Sequence, residues 1–237
     1  TIRFPQFIEL QYLVRIADRV PEDVTRIILN TESTSNPWVA RDYLDAILKM
    51  PSGNFKKLLR KIKRERWFYE PYRTALPQLG IDLAEKLILE GAIDSALALA
   101  TILLSVQKVE KEDFITRKKN GVRTYEVRSY IGDWDYKEFV EKIIPKLSVL
   151  EPTKTIVLLR DILESSIRIE RDKSGYDDDN LLYFRIPSIE SIGRDDPKNL
   201  LVVGIRNSLD RLADSNHPEL KVVLKILAHP EGIYPIM

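Results

Sequence analysis

The chain has 237 residues, 44% of them apolar, and 37 basic side chains against 36 acidic ones leave a net charge of +1. That length can bury a substantial core, and the balanced charge argues against a surface given over to nucleic acid or membrane, leaving only local patches. With no cysteine and only two histidines, disulfides, thiolate metal sites and cysteine nucleophiles are excluded. No apolar run reaches the ~20 residues that span a bilayer, so no membrane partner is expected. The first residues lack the layout of a signal peptide, and Thr1 stands where an initiator methionine would. The expectation is a cytoplasmic segment of a longer chain. Nine glycines are few for a nucleotide-binding sheet, which needs them at its βα turns, and favour a helical chain punctuated by proline.

In chain order, Phe4 to Leu10 reads as an irregular lead-in, and Leu13, Ile16, Ala17 and Val20 then recur at helical spacing. Pro21-Glu22-Asp23 puts proline and acids where a second helix would start, with Val24, Ile27 and Ile28 as its face. Pro37 opens a third helix, apolar at Trp38, Val39, Tyr43, Leu44, Ile47 and Leu48 and closed by Met50-Pro51. A fourth, from Phe55 to about Arg66, is apolar only at Phe55, Leu58, Leu59 and Ile62. The aromatic, proline-bearing stretch 67–78 should bend across the surface. Asp82 can cap a fifth helix that Gly91 stops, and 92–106 is then so apolar that it must be covered on nearly every side.

Beyond it the period changes. Residues 114–117 and 122–127 flank Lys119-Asn120-Gly121, and Asn-Gly is the strongest short hairpin signal. An isolated hairpin is marginal in water, so this one should lie against helices or a partner. Helical spacing resumes from Trp134 through Ile144, with Asp133 or Asp135 as cap and Pro145 as a break. Further helices follow over 152–166, 199–214 and from Pro218 to His229-Pro230, with polar loops between. Ser35-Asn36-Pro37 and Ser215-Asn216-His217-Pro218 each precede a short helix that ends at a proline. They are read with equal weight as a repeat and as two independent helix starts.

These elements predict an all-α fold: an irregular, α-solenoid-like stack of antiparallel helical hairpins, with one β-hairpin inserted around residues 113–131. The domain reading is a single elongated unit over 1–237, with a division into 1–107 and 132–237 left open. Gly91-Ala92-Ile93-Asp94-Ser95-Ala96, with Leu103-Leu104 behind, resembles the second half of a tetratricopeptide repeat. The preceding helix lacks that family's spacing, and no copy recurs at its period of about 34 residues. The proline-opened helices resemble degenerate HEAT-type repeats. The resemblance implies a protein-binding scaffold and no reaction.

Chemistry-bearing patterns are sparse. Lys56, Lys57, Arg60, Lys61, Lys63, Arg64 and Arg66 fall on one helix and precede Trp67-Phe68-Tyr69. They could neutralise phosphates beside stacking aromatics, or form a solvated face near a helix C-terminus. Arg117, Lys118, Lys119, Arg123 and Arg128 make a second basic cluster. Asp177-Asp178-Asp179 lacks the spacing of a calcium loop, and His217 and His229 belong to no metal or nucleophile motif. No catalytic, cofactor-binding or metal-ligating residue is nominated, and no cofactor is expected. The leading expectation is therefore a non-enzymatic scaffold or regulatory domain that binds a protein, or another domain of its own chain. Trp38, Trp67, Phe68, Tyr69 and Tyr72 are its candidate contacts, since interface hot spots favour aromatics. The alternative is a nucleic-acid-binding module using helix 56–66.

Overall fold

Proline stands in the first turn of helix after helix in the computed structural model, which describes residues 5–69, 75–110, 125–171 and 196–228. A first unit, Thr1–Leu103, holds α1 (Ile8–Ile16), α2 (Pro21–Asn30), α3 (Pro37–Lys49), α4 (Ser52–Glu65), α5 (Leu76–Leu89) and α6 (Ile93–Leu103). Within it α1, α3 and α5 pack side by side, and α2, α4 and α6 do the same. Successive helix pairs are thus stacked in two layers. The pairs begin at Ile8, Pro37 and Leu76, hence 29 and 39 residues apart. That unequal spacing accounts for the lack of a fixed period in the sequence.

Three helix ends share one device. Gly91, at φ +72°, donates its N–H to the Ile88 carbonyl, and Ala92 donates to Leu87. This is the Schellman arrangement expected of a glycine stop. Arg66 (φ 53°) and Trp67 repeat it on Lys63 and Ile62, and Asn216 (φ 49°) and His217 repeat it on Ala213 and Leu212. A left-handed arginine costs of the order of 1 kcal/mol that glycine would not. Arg66→Gly is accordingly expected to raise stability by about 0.5–1 kcal/mol in urea titration. A lower midpoint would show that the arginine side chain outweighs its backbone.

Asn36 does the opposite job to Asn216. It opens α3, its Oδ1 accepting the Trp38 N–H at 3.0 Å while its Nδ2 donates to the Pro5 carbonyl. The two Ser-Asn stretches are therefore a start and a stop, not copies of one repeat.

The fifth helix starts earlier than the sequence suggests. Pro77 sits in its first turn, so Asp82 lies inside it instead of capping it. Gly80 is then a mid-helix residue, and a Cβ built there would lie 2.9 Å from the Phe68 ring and 3.0 Å from Leu103. Its bareness lets α5 press against both.

The second unit, Leu104–Met237, holds β1 (Val106–Glu110), β2 (Tyr125–Ser129), α7 (Asp133–Lys142), α8 (Ile144–Leu150), α9 (Pro152–Arg171), α10 (Pro197–Asp214) and α11 (Leu220–Ala228). The strands pair antiparallel with Val106 opposite Ser129 and Glu110 opposite Tyr125, and both lie against α9. The hairpin does rest on helix, as its marginal stability requires. Its first strand, however, lies ahead of the expected 114–117. Val106 begins it once α6 has ended at Leu103, and the seat against α9 supports it as strand. Asn120-Gly121 lies outside the described residues.

Packed against α7, α8, α9 and α11, α10 is the hub of this unit. A Cβ on its Gly204 would meet Val140 of α7 at 3.3 Å and Leu159 of α9 at 3.5 Å. Asp196 caps the helix by accepting the Lys198 N–H at 2.9 Å. Neither Asp133 nor Asp135 caps α7; Gly132 holds that position. Pro145 stands in the first turn of α8 and marks the break after α7.

Candidate functional site

The middle helix of the second layer, α4, carries the basic cluster. Its apolar side is narrow: Phe55, Leu58 and Ile62 are buried, and most other positions are cationic. Asn54 ties the helix to α2, donating from Nδ2 to Thr25 Oγ1 at 3.0 Å and to Glu22 Oε1 at 3.1 Å. At its start, the Ser52 N–H donates to the Glu90 carboxylate at 2.8 Å, placing an anion at the positive end of the helix.

The structure sorts the seven expected cations. Lys61 is buried, donating to the Thr31 carbonyl at 2.6 Å and pairing with Glu65 at 2.8 Å. Glu65, its side chain only 5% exposed, also accepts from Ser33 Oγ at 2.8 Å, Trp67 Nε1 at 3.0 Å and Arg64 at 3.1 Å. Burial pushes the Glu65 carboxyl up, but the hydrogen bonds from Lys61, Trp67, Ser33 and Arg64 win and bring it down to about 2. Lys57 pairs with Glu22 at 2.6 Å, and its hydrogen bond holds the Glu22 carboxyl below the usual range. Lys56, Arg60 and Lys63 are exposed, and among the described residues they make no ion pair. Arg66 is exposed at the left-handed helix stop.

Lys56, Lys57, Arg60, Lys61 and Arg64 line a groove of about 330 Å³ together with Leu29 of α2. Of these five cations, Lys57 is paired with Glu22, and Lys61 and Arg64 with Glu65; neither acid lines the groove. Lys63 and Arg66 do not line it. Leu29 is the residue that sequence reasoning passes over. Ile27-Ile28-Leu29 are consecutive, and residues 100° apart on a helix cannot all face inward. Ile28 is fully buried, while Ile27 and Leu29 are 42% and 41% exposed.

The aromatic candidates divide as well. Trp67 and Phe68 belong to the core, a correction to their reading as contacts. Trp67 lies tilted against Tyr43 with ring centroids 5.6 Å apart, and Phe68 fills the space beside Gly80. Tyr69 is 39% exposed, and Tyr72 lies outside the described residues. Trp38 is half-buried with the Arg41 guanidinium 5.6 Å from its ring centre. It borders a second groove of about 410 Å³ between α1 and α3, where Arg15, Arg41 and Lys49 meet Asp42 and Asp45. Burial pushes both carboxyls up, and Asp45 adds to the effect on Asp42. Three cations there meet two acids, whereas the residues lining the α4 groove include five cations and no acid.

Of the second basic cluster, Arg128 is exposed on β2, while Arg117, Lys118, Lys119 and Arg123 lie outside the described residues, as do Asp177 to Asp179 and His229. His217 packs at the stop of α10, where its Nδ1 accepts the Glu219 N–H at 3.3 Å. Among the described residues no helix is long and apolar enough to cross a membrane. In comparisons with family models, curated proteins and solved structures, nothing matches this chain.

Proposed function

We propose that this chain is a non-enzymatic helical scaffold that binds a macromolecular partner, and that the α4 face carries the binding. The observation supporting this reading is the row of Lys56 and Arg60, without an ion pair among the described residues, in a groove whose other cations already hold Glu22 and Glu65. A protein, or another domain of the same chain, is the expected partner. Nucleic acid is the second reading, resting on the same cations.

Surface cations attract a polyanion through screened Coulomb forces, so affinity should fall steeply with salt. Fluorescence anisotropy with labelled poly-glutamate and with a single-stranded oligonucleotide tests both readings at low and physiological salt. Binding of either that weakens with salt, and about tenfold further in Lys56→Glu/Arg60→Glu, is the expected result. Among the described residues neither side chain has an ion pair to lose, so the double variant should melt like the parent. No binding of either probe at low salt would overturn the reading.

A further inference from the structure

We infer that the α4 groove takes an acidic peptide segment carrying a large aliphatic side chain, with the carboxylates on Lys56, Arg60 and Arg64 and the aliphatic group on Leu29. This rests on the binding face proposed above and names its occupant.

Two features separate a peptide from a nucleic acid here. A single strand gains affinity by stacking bases on successive aromatic faces, and of the three aromatics that follow the basic helix only Tyr69, 39% exposed, has surface to offer. Trp67 and Phe68 are 5% and 2% exposed, and the Trp67 Nε1–H is already given to Glu65. What the groove does offer is an aliphatic contact inside a ring of cations. Leu29, 41% exposed, is its one apolar wall among the lining residues, and every other lining residue is Lys or Arg. The phosphate backbone of a nucleic acid has nothing to place on a leucine. A peptide that mixes acids and aliphatic residues does.

The geometry of α4 sets the spacing. Lys56, Arg60 and Arg64 lie four residues apart, so their stems follow one another at intervals of about 6 Å along the helix. Side chains on the same face of an extended peptide recur at nearly the same interval, about 6.6 Å. An extended segment lying along α4 can therefore set alternate carboxylates against successive cations. Lys57 and Lys61 contribute less, being committed to Glu22 and to Glu65, while Arg64, also paired with Glu65 at 3.1 Å, receives a carboxylate on its remaining N–H donors. Buried Lys61 is part of the groove floor.

The test compares three labelled probes by anisotropy at low salt: an all-glutamate 15-mer with one central leucine, the same peptide with alanine there, and a single-stranded oligonucleotide of equal charge. The leucine peptide should bind about tenfold tighter than the alanine peptide, the effect of burying most of the extra methylenes. Leu29→Ser should erase that preference while leaving the alanine peptide's affinity unchanged. Leu29 is substantially exposed, so this variant should fold, and circular dichroism checks that it does. Lys63→Glu, outside the groove, should weaken all three probes far less than Arg60→Glu. Equal binding of the leucine and alanine peptides would overturn the assignment of the occupant while leaving the anionic face standing. Tighter binding of the oligonucleotide would do the same in favour of nucleic acid. No binding of any probe would remove both.

Discussion

Replacing Glu65 by alanine is expected to cost about 3–5 kcal/mol, because it strands a buried lysine. Lys61 would keep only the Thr31 carbonyl, while Ser33, Trp67 and Arg64 would lose the acceptor they share. The ion pair itself adds little over an apolar pair of the same shape. The damage comes from removing one partner and leaving the other desolvated. Glu65→Gln keeps the shape and accepting oxygen but not the charge, and should fall between parent and alanine variant. Urea titration followed by circular dichroism reads the effect. A loss below 1 kcal/mol would mean that Lys61 reaches water.

The same group makes the first unit acid-sensitive. Its carboxyl lies at about 2 in the folded chain against an ordinary 4.5. A depressed carboxyl contributes fully above its unfolded value, and that contribution drains away as pH falls from about 4.5 toward 2. The shift corresponds to about 3 kcal/mol. Stability measured across this window should fall more steeply in the parent than in Glu65→Ala, which has no such group to protonate.

Gly80→Val should be the most damaging single enlargement in the first unit, costing about 2–3 kcal/mol. A Cβ alone already comes within 3.0 Å of both Phe68 and Leu103, and two further methyls have nowhere to go in a helix wedged against them. Gly53, near the start of α4, is the control: a Cβ there meets nothing within 4 Å. Gly53→Ala should be neutral or stabilising by up to about 1 kcal/mol, the ordinary gain of alanine over glycine in a helix. If thermal melts showed Gly80→Val as mild as Gly53→Ala, the close approach of α5 to Phe68 and Leu103 would be wrong.

The helices that the sequence announces clearly are those whose ends are written in side chains. Asn36-Pro37 starts α3 and Gly91 stops α5 as local chemistry dictates. Arg66 and Asn216 take the same left-handed stop without glycine; asparagine tolerates that backbone, so Asn216 is marked locally, whereas nothing local marks Arg66, whose turn goes with the burial of Trp67 and Phe68. Asp82 reads from sequence as a helix cap, and propensity weighs against a glycine, Gly80, inside a helix just before it. Tertiary contact with Phe68 and Leu103 overrides it. The first strand was hidden because Val106 continues the apolar run of α6, and only its seat against α9 gives it strand support.

The site was half legible. The six cations of α4, with Arg66 just past its end, are plain in the sequence, but which are committed depends on Glu22 and Thr31, some thirty residues away. Trp67 and Phe68 look like contacts because they follow a basic helix, yet the left-handed turn at Arg66 swings them into the core. Leu29 could have been found by noting that three consecutive apolar residues exceed the width of one buried helix face.

The most direct test of the account is to map where an acidic, leucine-bearing peptide touches the chain by amide and methyl chemical-shift perturbation. The account predicts that the shifts gather on the Leu29 methyls and along Lys56 to Arg64, and vanish in Lys56→Glu/Arg60→Glu. Shifts confined to the Trp38 groove between α1 and α3, with α4 silent, would contradict it.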